Sequence, residues 1–119
     1  LPADHPDIAA SLNNLAAPKD ILKAMEPLAK AFPKQLPIQA VMATVYLSDN
    51  QAAKAAEVLD PFKLNATALA PGYRATFLAT QLLNGRIPKN DPQIVDFPVK
   101  SLLPSERRKF NEWIARAEL

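Results

Sequence analysis

The sequence has no cysteine, one histidine and two glycines among 119 residues. The absence of cysteine excludes disulfides and thiolate chemistry, and it removes the commonest ligand of structural zinc sites. Two isolated glycines cannot form a glycine-rich phosphate loop. The single histidine, His5, precedes a proline near the start of the chain and has no metal-ligand spacing around it. We therefore expect no enzymatic activity, no metal site and no cofactor.

Long apolar runs and strong net charge are also missing. No stretch approaches the roughly 18 apolar residues that a membrane span requires, so direct membrane insertion is not expected. The net charge is +2, and neither half of the chain has the clustered basic residues of a typical nucleic-acid binder. The chain begins with leucine instead of methionine, which is typical of a processed product. The compartment, cytoplasm or bacterial periplasm, is left open.

Twelve prolines are distributed along the chain and separate segments with helical periodicity. At 119 residues the chain is the size of one domain with a single core, so we predict one all-α domain over residues 1–119. The first predicted helix starts near Asp7 and ends before Pro18. The other five helices are predicted over residues 20–32, 37–50, 50–62, 72–85 and 104–119.

Local signals predict where several of these helices start and stop. Asp20 is a suitable N-cap for the second helix, and Pro27 should kink or split that helix near Lys23. The polar turn 48–50 should end the third helix, so that 37–50 and 50–62 form an antiparallel hairpin. Gly85 is placed to end the fifth helix in the left-handed conformation.

Residues 86–103 contain three internal prolines and are predicted to be an extended segment. Such a long irregular run either wraps the surface or has a binding role, and we favour wrapping. Residues 104–119 are predicted to form a capping helix with Trp113 in the core. The side chains expected to be tucked in from the extended segment are Ile94, Val95, Phe97 and Val99.

The third and fourth helices carry an ordered set of large, small and aromatic residues, namely Met42, Ala43, Tyr46, Asn50, Ala55 and Leu59. This set resembles the tetratricopeptide repeat, whose period is about 34 residues. Leu78 and Ala79 repeat the pair Met42 and Ala43 after 36 residues. The N-terminal stretch HPDIAASLNNLA resembles the start of a kinesin-light-chain-type repeat. The resemblance covers residues 5–85.

The resemblance implies a stack of about two and a half antiparallel helical hairpins, followed by the wrapping segment and the capping helix. In tetratricopeptide repeats the first helices of the hairpins line a concave surface that binds a partner. The positions that correspond to that surface here are Asn13, Ala17, Ala40, Thr44, Tyr73, Thr76, Thr80 and Asn84, and Asn14 beside Asn13 is expected to bind the partner with them. If they bind a partner, replacing Asn13 and Thr80 should weaken binding without lowering thermal stability. Alternatively, the two asparagines are simply exposed.

The favoured function is a non-catalytic protein–protein interaction module that binds a peptide or helix of a partner protein in a concave groove. An alternative is an accessory or regulatory domain of a larger enzyme, such as the soluble part of a membrane-bound one. A third hypothesis is nucleic-acid binding through residues 100–116, where Arg107, Arg108 and Lys109 are consecutive. We favour a solvated helix face for this basic run. The oligomeric state is left open.

Overall fold

Proline is the first or second residue of five of the six α-helices in the computed structural model, which describes residues 17–118. Proline suits the first turn of a helix because its fixed φ is already helical and its missing N–H would have no partner there. The exception begins at Ala52. The helices are α1 (Pro18–Ala31), α2 (Leu36–Ser48), α3 (Ala52–Leu59), α4 (Pro71–Leu83), α5 (Pro92–Val95) and α6 (Pro104–Ala117).

Two helices end in the same hydrogen-bonded motif. After α2, Asn50 has a φ of 59° and Gln51 donates its backbone N–H to the carbonyl of Tyr46 at 2.8 Å. After α4, Gly85 has a φ of 71° and Arg86 donates to the carbonyl of Gln81 at 2.9 Å. Both ends are Schellman motifs, in which a left-handed residue lets the chain turn back over the last turn. The predicted ends at the 48–50 turn and at Gly85 are confirmed.

The start of α1 differs from the prediction. The helix begins at Pro18 with Ala17 as N-cap, so Asp20 lies in the first turn and not at the cap. Proline at the first helical position fixes the helical φ three residues earlier than an N-cap at Asp20 would have done, since the helix would then begin at Ile21. Pro27 remains inside one continuous helix, so the helix is not split. Because Lys23 is exposed, water can reach the carbonyl that Pro27 leaves without a donor.

The helices pack in chain order around two apolar clusters. α1 contacts α2, α2 contacts α3, and α4 contacts both α2 and α3, while α6 covers α4 and touches α2. The larger cluster joins α2, α3, α4 and α6, and the smaller one joins α1 to α2. The described residues contain no strand, so the prediction of an all-α fold is confirmed for this part of the chain.

Residues 86–103 are less extended than predicted. They contain α5 and a 3₁₀ turn at Val99–Ser101. Ile94 and Phe97 are buried, and the centroids of the Phe97 ring and the Phe110 ring on α6 are 4.7 Å apart. The expectation that Val95 is tucked in is wrong, because its side chain is 65% exposed. The fourth predicted anchor, Val99, packs only partly against the core, and Leu102 is buried instead.

The predicted capping helix forms as α6. Pro104 is its first residue, and Glu106 in the first turn accepts a hydrogen bond from the backbone N–H of Leu103 at 2.8 Å. Phe110 and Trp113 lie on the buried face, so the prediction that Trp113 is a core residue is confirmed.

Candidate functional site

The predicted partner-binding residues that the structure describes lie mainly on α2 and α4, which run side by side in the same direction. The short Schellman turn brings the end of α2 to the start of α3. Asn84, at the end of α4, donates from Nδ2 to the carbonyl of Ala52 at 2.9 Å, also at the start of α3. Because α2 and α4 both end at the start of α3, they are parallel.

A hydroxyl pair bridges the two helices. Thr44 Oγ1 on α2 lies 3.0 Å from Thr76 Oγ1 on α4. Small side chains in both helices make this approach possible, since Ala43 and Ala79 are completely buried. Alanine lets two helix backbones come close, and polar groups at such a contact must then find their hydrogen bonds within it.

The threonine hydroxyls of α4 are satisfied inside the molecule. Thr76 Oγ1 donates to the carbonyl of Gly72 at 3.3 Å, and Thr80 Oγ1 donates to the carbonyl of Thr76 at 2.8 Å. Thr80 is only 1% exposed. The expectation that Thr80 contacts a partner and can be replaced without loss of stability is therefore corrected: its side chain is part of the core.

Three further predicted residues lie at contacts within the chain. Ala40 and Thr76 are buried. Asn84 is half-buried, and its Nδ2 also donates to the carbonyl of Thr80 at 2.8 Å, so its amide ties α4 to α3. These three positions stabilise helix contacts in the structure. Asn13 and Asn14 lie outside the described residues, and Ala17 is exposed at the N-cap of α1.

Two predicted residues keep accessible surface. Thr44 is half-buried, and Tyr73 in the first turn of α4 is 36% exposed. Thr44 is level with Thr76 and the helices are parallel, so residues one turn earlier, Val41 and Tyr73, are also level with each other. Val41 is half-buried. We call Val41, Thr44 and Tyr73 the Tyr73 patch.

The described residues hold no cluster of metal-ligating side chains. Between residues 17 and 118 no group of three or more histidine, cysteine, aspartate or glutamate side chains is close enough to bind a metal ion. The buried polar side chains in that range are Gln39, Thr76 and Thr80, and each makes a hydrogen bond to a backbone carbonyl. Two buried donors within residues 17–118, Nε of Arg74 and Nε1 of Trp113, have no hydrogen-bond partner.

The basic run on α6 is only partly free. Arg107 donates from Nε to the carbonyl of Val99 at 3.1 Å and from Nη2 to the carbonyl of Leu102 at 3.3 Å. Burial lowers the pKa of the Lys109 ammonium, and the neighbouring Arg108 lowers that pKa further. Of the three cations, Arg108 alone is exposed. Such a run is poorly suited to bind several phosphates.

An exposed ion pair connects the end of α4 to the end of α3. Arg86 donates to the two carboxylate oxygens of Asp60 at 2.7 and 3.0 Å and to Gln81 Oε1 at 3.0 Å. The hydrogen bonds from Arg86 lower the pKa of Asp60 despite a small opposing effect of burial. This pair fixes the turn after Gly85 and lies away from the Tyr73 patch.

Two polar contacts that hold helix ends were not predicted from the sequence. Gln39 Nε2 on α2 donates to the carbonyls of Ala29 and Phe32, at 3.1 and 3.2 Å, at the end of α1. Arg116 Nη1 on α6 donates to the carbonyl of Leu47. For Gln39 a signal existed, because it is a lone glutamine inside an otherwise apolar stretch, 36–43. No comparable signal in the sequence indicated the contact of Arg116.

Comparison of the chain with models of protein families, with curated proteins and with solved structures finds no match. The tetratricopeptide resemblance stays a prediction based on the residues that carry it. None of the helices described over residues 17–118 combines the length and the apolar character that crossing a membrane demands.

Proposed function

We propose that the helices form a tetratricopeptide-like stack in which α2 and α3 make one hairpin and α4 begins the next. The order of helix contacts supports this arrangement. The left-handed residues Asn50 and Gly85 end the two parallel helices and are 35 residues apart. The completely buried Ala43 and Ala79 are 36 residues apart. Both spacings are close to the period of about 34 of this repeat.

We propose that the protein is a non-catalytic interaction module that binds a peptide or helix of a partner protein at the Tyr73 patch. The observation that carries the proposal is the exposed Tyr73 ring, which lies one helical turn before Thr76 and its hydroxyl pair with Thr44 at the junction of two helices. A tyrosine at such a position offers an apolar ring and a polar tip, which is a combination enriched at protein interfaces.

The hydrogen bonds within the patch define what Thr44 can recognise. Thr76 Oγ1 donates its hydrogen to the carbonyl of Gly72, so it accepts from Thr44 in the hydroxyl pair. The single hydrogen of Thr44 is then used, and only the lone pairs of its oxygen are free. Thr44 therefore accepts a hydrogen bond from a partner, and a backbone N–H of a docked peptide is a suitable donor.

The expected contribution of Tyr73 is modest but measurable. About a third of a side chain that buries roughly 200 Å² when fully covered leaves about 70 Å² for a partner to cover. At roughly 25 cal/mol per Å² this area corresponds to about 1.8 kcal/mol, or about a 20-fold change in affinity.

Affinity capture with the full chain from its native source tests the proposal. The Tyr73→Ala variant should lose proteins that the unmodified chain retains, while the control Val95→Ala, which truncates a more exposed apolar side chain on α5, should retain them. Tyr73→Phe separates the ring from the hydroxyl. If Tyr73→Ala captures the same proteins in the same amounts as the control, the Tyr73 patch is not a partner site.

A further inference from the structure

One end of the molecule brings together the end of α1 and the starts of α2, α4 and α6. Near the start of α2, Gln39 bonds to the carbonyls of Ala29 and Phe32 at the end of α1. Because α2 and α4 are parallel, the start of α4 lies at the same end. Glu106 Oε2 occupies the space that a Cβ at Gly72 would need, which places the start of α6 beside the start of α4.

The chain segments that lead through this end contain lysine but no carboxylate. Aspartate and glutamate are absent from residues 30–38, 61–71 and 97–105. These segments contain four exposed lysines, namely Lys30, Lys34, Lys63 and Lys100. The net charge of the whole chain is only +2, so positive charge is concentrated at this end.

Two of the carboxylates that border these segments have partners within the chain. Asp60 pairs with Arg86 at 2.7 Å, and Glu106 Oε1 accepts a hydrogen bond from the backbone N–H of Leu103 at 2.8 Å. A third carboxylate, Asp96, is exposed at the C-cap of α5. The four lysines therefore outnumber the carboxylates that could neutralise them.

Two large apolar side chains are exposed at the same end. Phe32 at the C-cap of α1 is 48% exposed, and Leu103 at the N-cap of α6 is 56% exposed. Phe32 is two residues from both Lys30 and Lys34, and Leu103 is three residues from Lys100. α1 and α6 are not in extensive contact with each other, so the two side chains are separate points. We call the four lysines, Phe32 and Leu103 the basic end.

We propose that the basic end docks on the surface of a membrane that contains anionic lipids. Its lysines are attracted to the negative charge of the head groups, while Phe32 and Leu103 enter the boundary between head groups and acyl chains. Because the two apolar side chains are separate and both lie near lysines, the partner must be anionic and apolar at both points. A bilayer surface combines these properties over its whole area. The phosphates of a nucleic acid would pair with the lysines but would give Leu103 no apolar contact.

Sedimentation of the full chain with lipid vesicles tests the charge. We expect binding to vesicles of phosphatidylcholine with about one third phosphatidylserine, and much weaker binding to phosphatidylcholine alone. Each lysine near an anionic surface changes the affinity about fivefold, so Lys30→Gln with Lys34→Gln should weaken binding about 25-fold. The matched control, Lys19→Gln with Lys54→Gln, removes two exposed lysines from the first turns of α1 and α3, at the opposite end. It should bind nearly as well as the unmodified chain.

A fluorescence measurement tests the apolar contacts. The one native tryptophan, Trp113, is 2% exposed, so its emission is a constant background. With the anionic vesicles, the emission of Phe32→Trp and of Leu103→Trp should shift to shorter wavelength, because each new ring leaves water. The control Val95→Trp, at an exposed position on α5, should show no shift. Urea unfolding of every variant checks that the substitutions leave the fold intact.

Three outcomes would overturn the proposal. The first is that the unmodified chain does not bind the anionic vesicles; a DNA duplex bound by that chain would then assign the basic end to a nucleic acid. The second is an equal loss of binding in the two lysine pairs, which would reflect net charge and not this surface. The third is the absence of a wavelength shift at both Phe32 and Leu103. All these variants leave the Tyr73 patch unchanged, so the two proposals fail separately.

Discussion

Gln39 connects α2 to the end of α1, and its removal should destabilise the protein by about 2 kcal/mol. Gln39 is 8% exposed, and its side-chain amide donates to the carbonyls of Ala29 and Phe32. A buried hydrogen bond contributes about 1 kcal/mol net, so Gln39→Ala loses roughly 2 kcal/mol from two bonds. Urea unfolding followed by circular dichroism measures this difference in the free energy of unfolding.

The variant Gln39→Glu keeps the size of the side chain but replaces the donor with a carboxylate oxygen. That oxygen would face the carbonyls of Ala29 and Phe32 at about the distance of a hydrogen bond. Repulsion and burial should raise the pKa of the new glutamate in the folded state above its ordinary value of about 4.3.

The sign of the pH effect follows from that raised pKa. A group with a raised folded-state pKa contributes stability that is fully present below its unfolded pKa and is lost as the pH rises through the folded one. Relative to the unmodified protein, Gln39→Glu should therefore be least stable at neutral pH and should recover below about pH 4. An equal deficit of Gln39→Glu at both pH values would refute the bond between Gln39 and the end of α1.

Three other substitutions test separate contacts. Thr80→Val should cost about 1 kcal/mol in urea unfolding because its hydroxyl donates to the carbonyl of Thr76 in the core; an unchanged midpoint would contradict that burial. Gly85→Ala should cost about 1 kcal/mol because the φ of 71° disfavours a side chain although no atom blocks one, and Gly85→Asn should cost less. Arg86→Ala should raise the pKa of Asp60 toward its ordinary value in an NMR titration. Because Asp60 has a lowered pKa when folded, its small contribution is present above the unfolded pKa and is lost as the pH falls through the folded one. In Arg86→Ala this pH dependence should disappear.

Helix positions could be predicted from the sequence because they depend on local chemistry. Proline marks the start of a helix, and a residue that tolerates the left-handed conformation marks its end, as at Asn50 and Gly85. The start of α1 differs from the prediction because two start signals, Pro18 and Asp20, lie two residues apart and the sequence does not rank them.

The segment 86–103 shows where periodicity stops being informative. In a regular helix the spacing of apolar residues indicates which of them share a face. This segment changes conformation at each proline, so the spacing does not indicate a common face here. Ile94 and Val95 are neighbours in the short α5 and point to opposite environments, one buried and one exposed. Leu102 is buried because the chain turns inward before α6. Whether a side chain of this segment points into the core or into solvent depends on the fold and not on the local sequence pattern.

The threonines of α2 and α4 have an environment that the sequence could not predict. A polar residue on a helix face suggests solvent or a partner when the neighbouring helix is unknown. Here Ala43 and Ala79 allow the two helices to approach until Thr44 and Thr76 bond to each other. Their hydroxyls then form hydrogen bonds within the chain, and so does the hydroxyl of Thr80. The same small residues that allow this close helix contact thus remove hydroxyls from the surface, and the groups that the contact leaves accessible are the Thr44 oxygen and the ring of Tyr73.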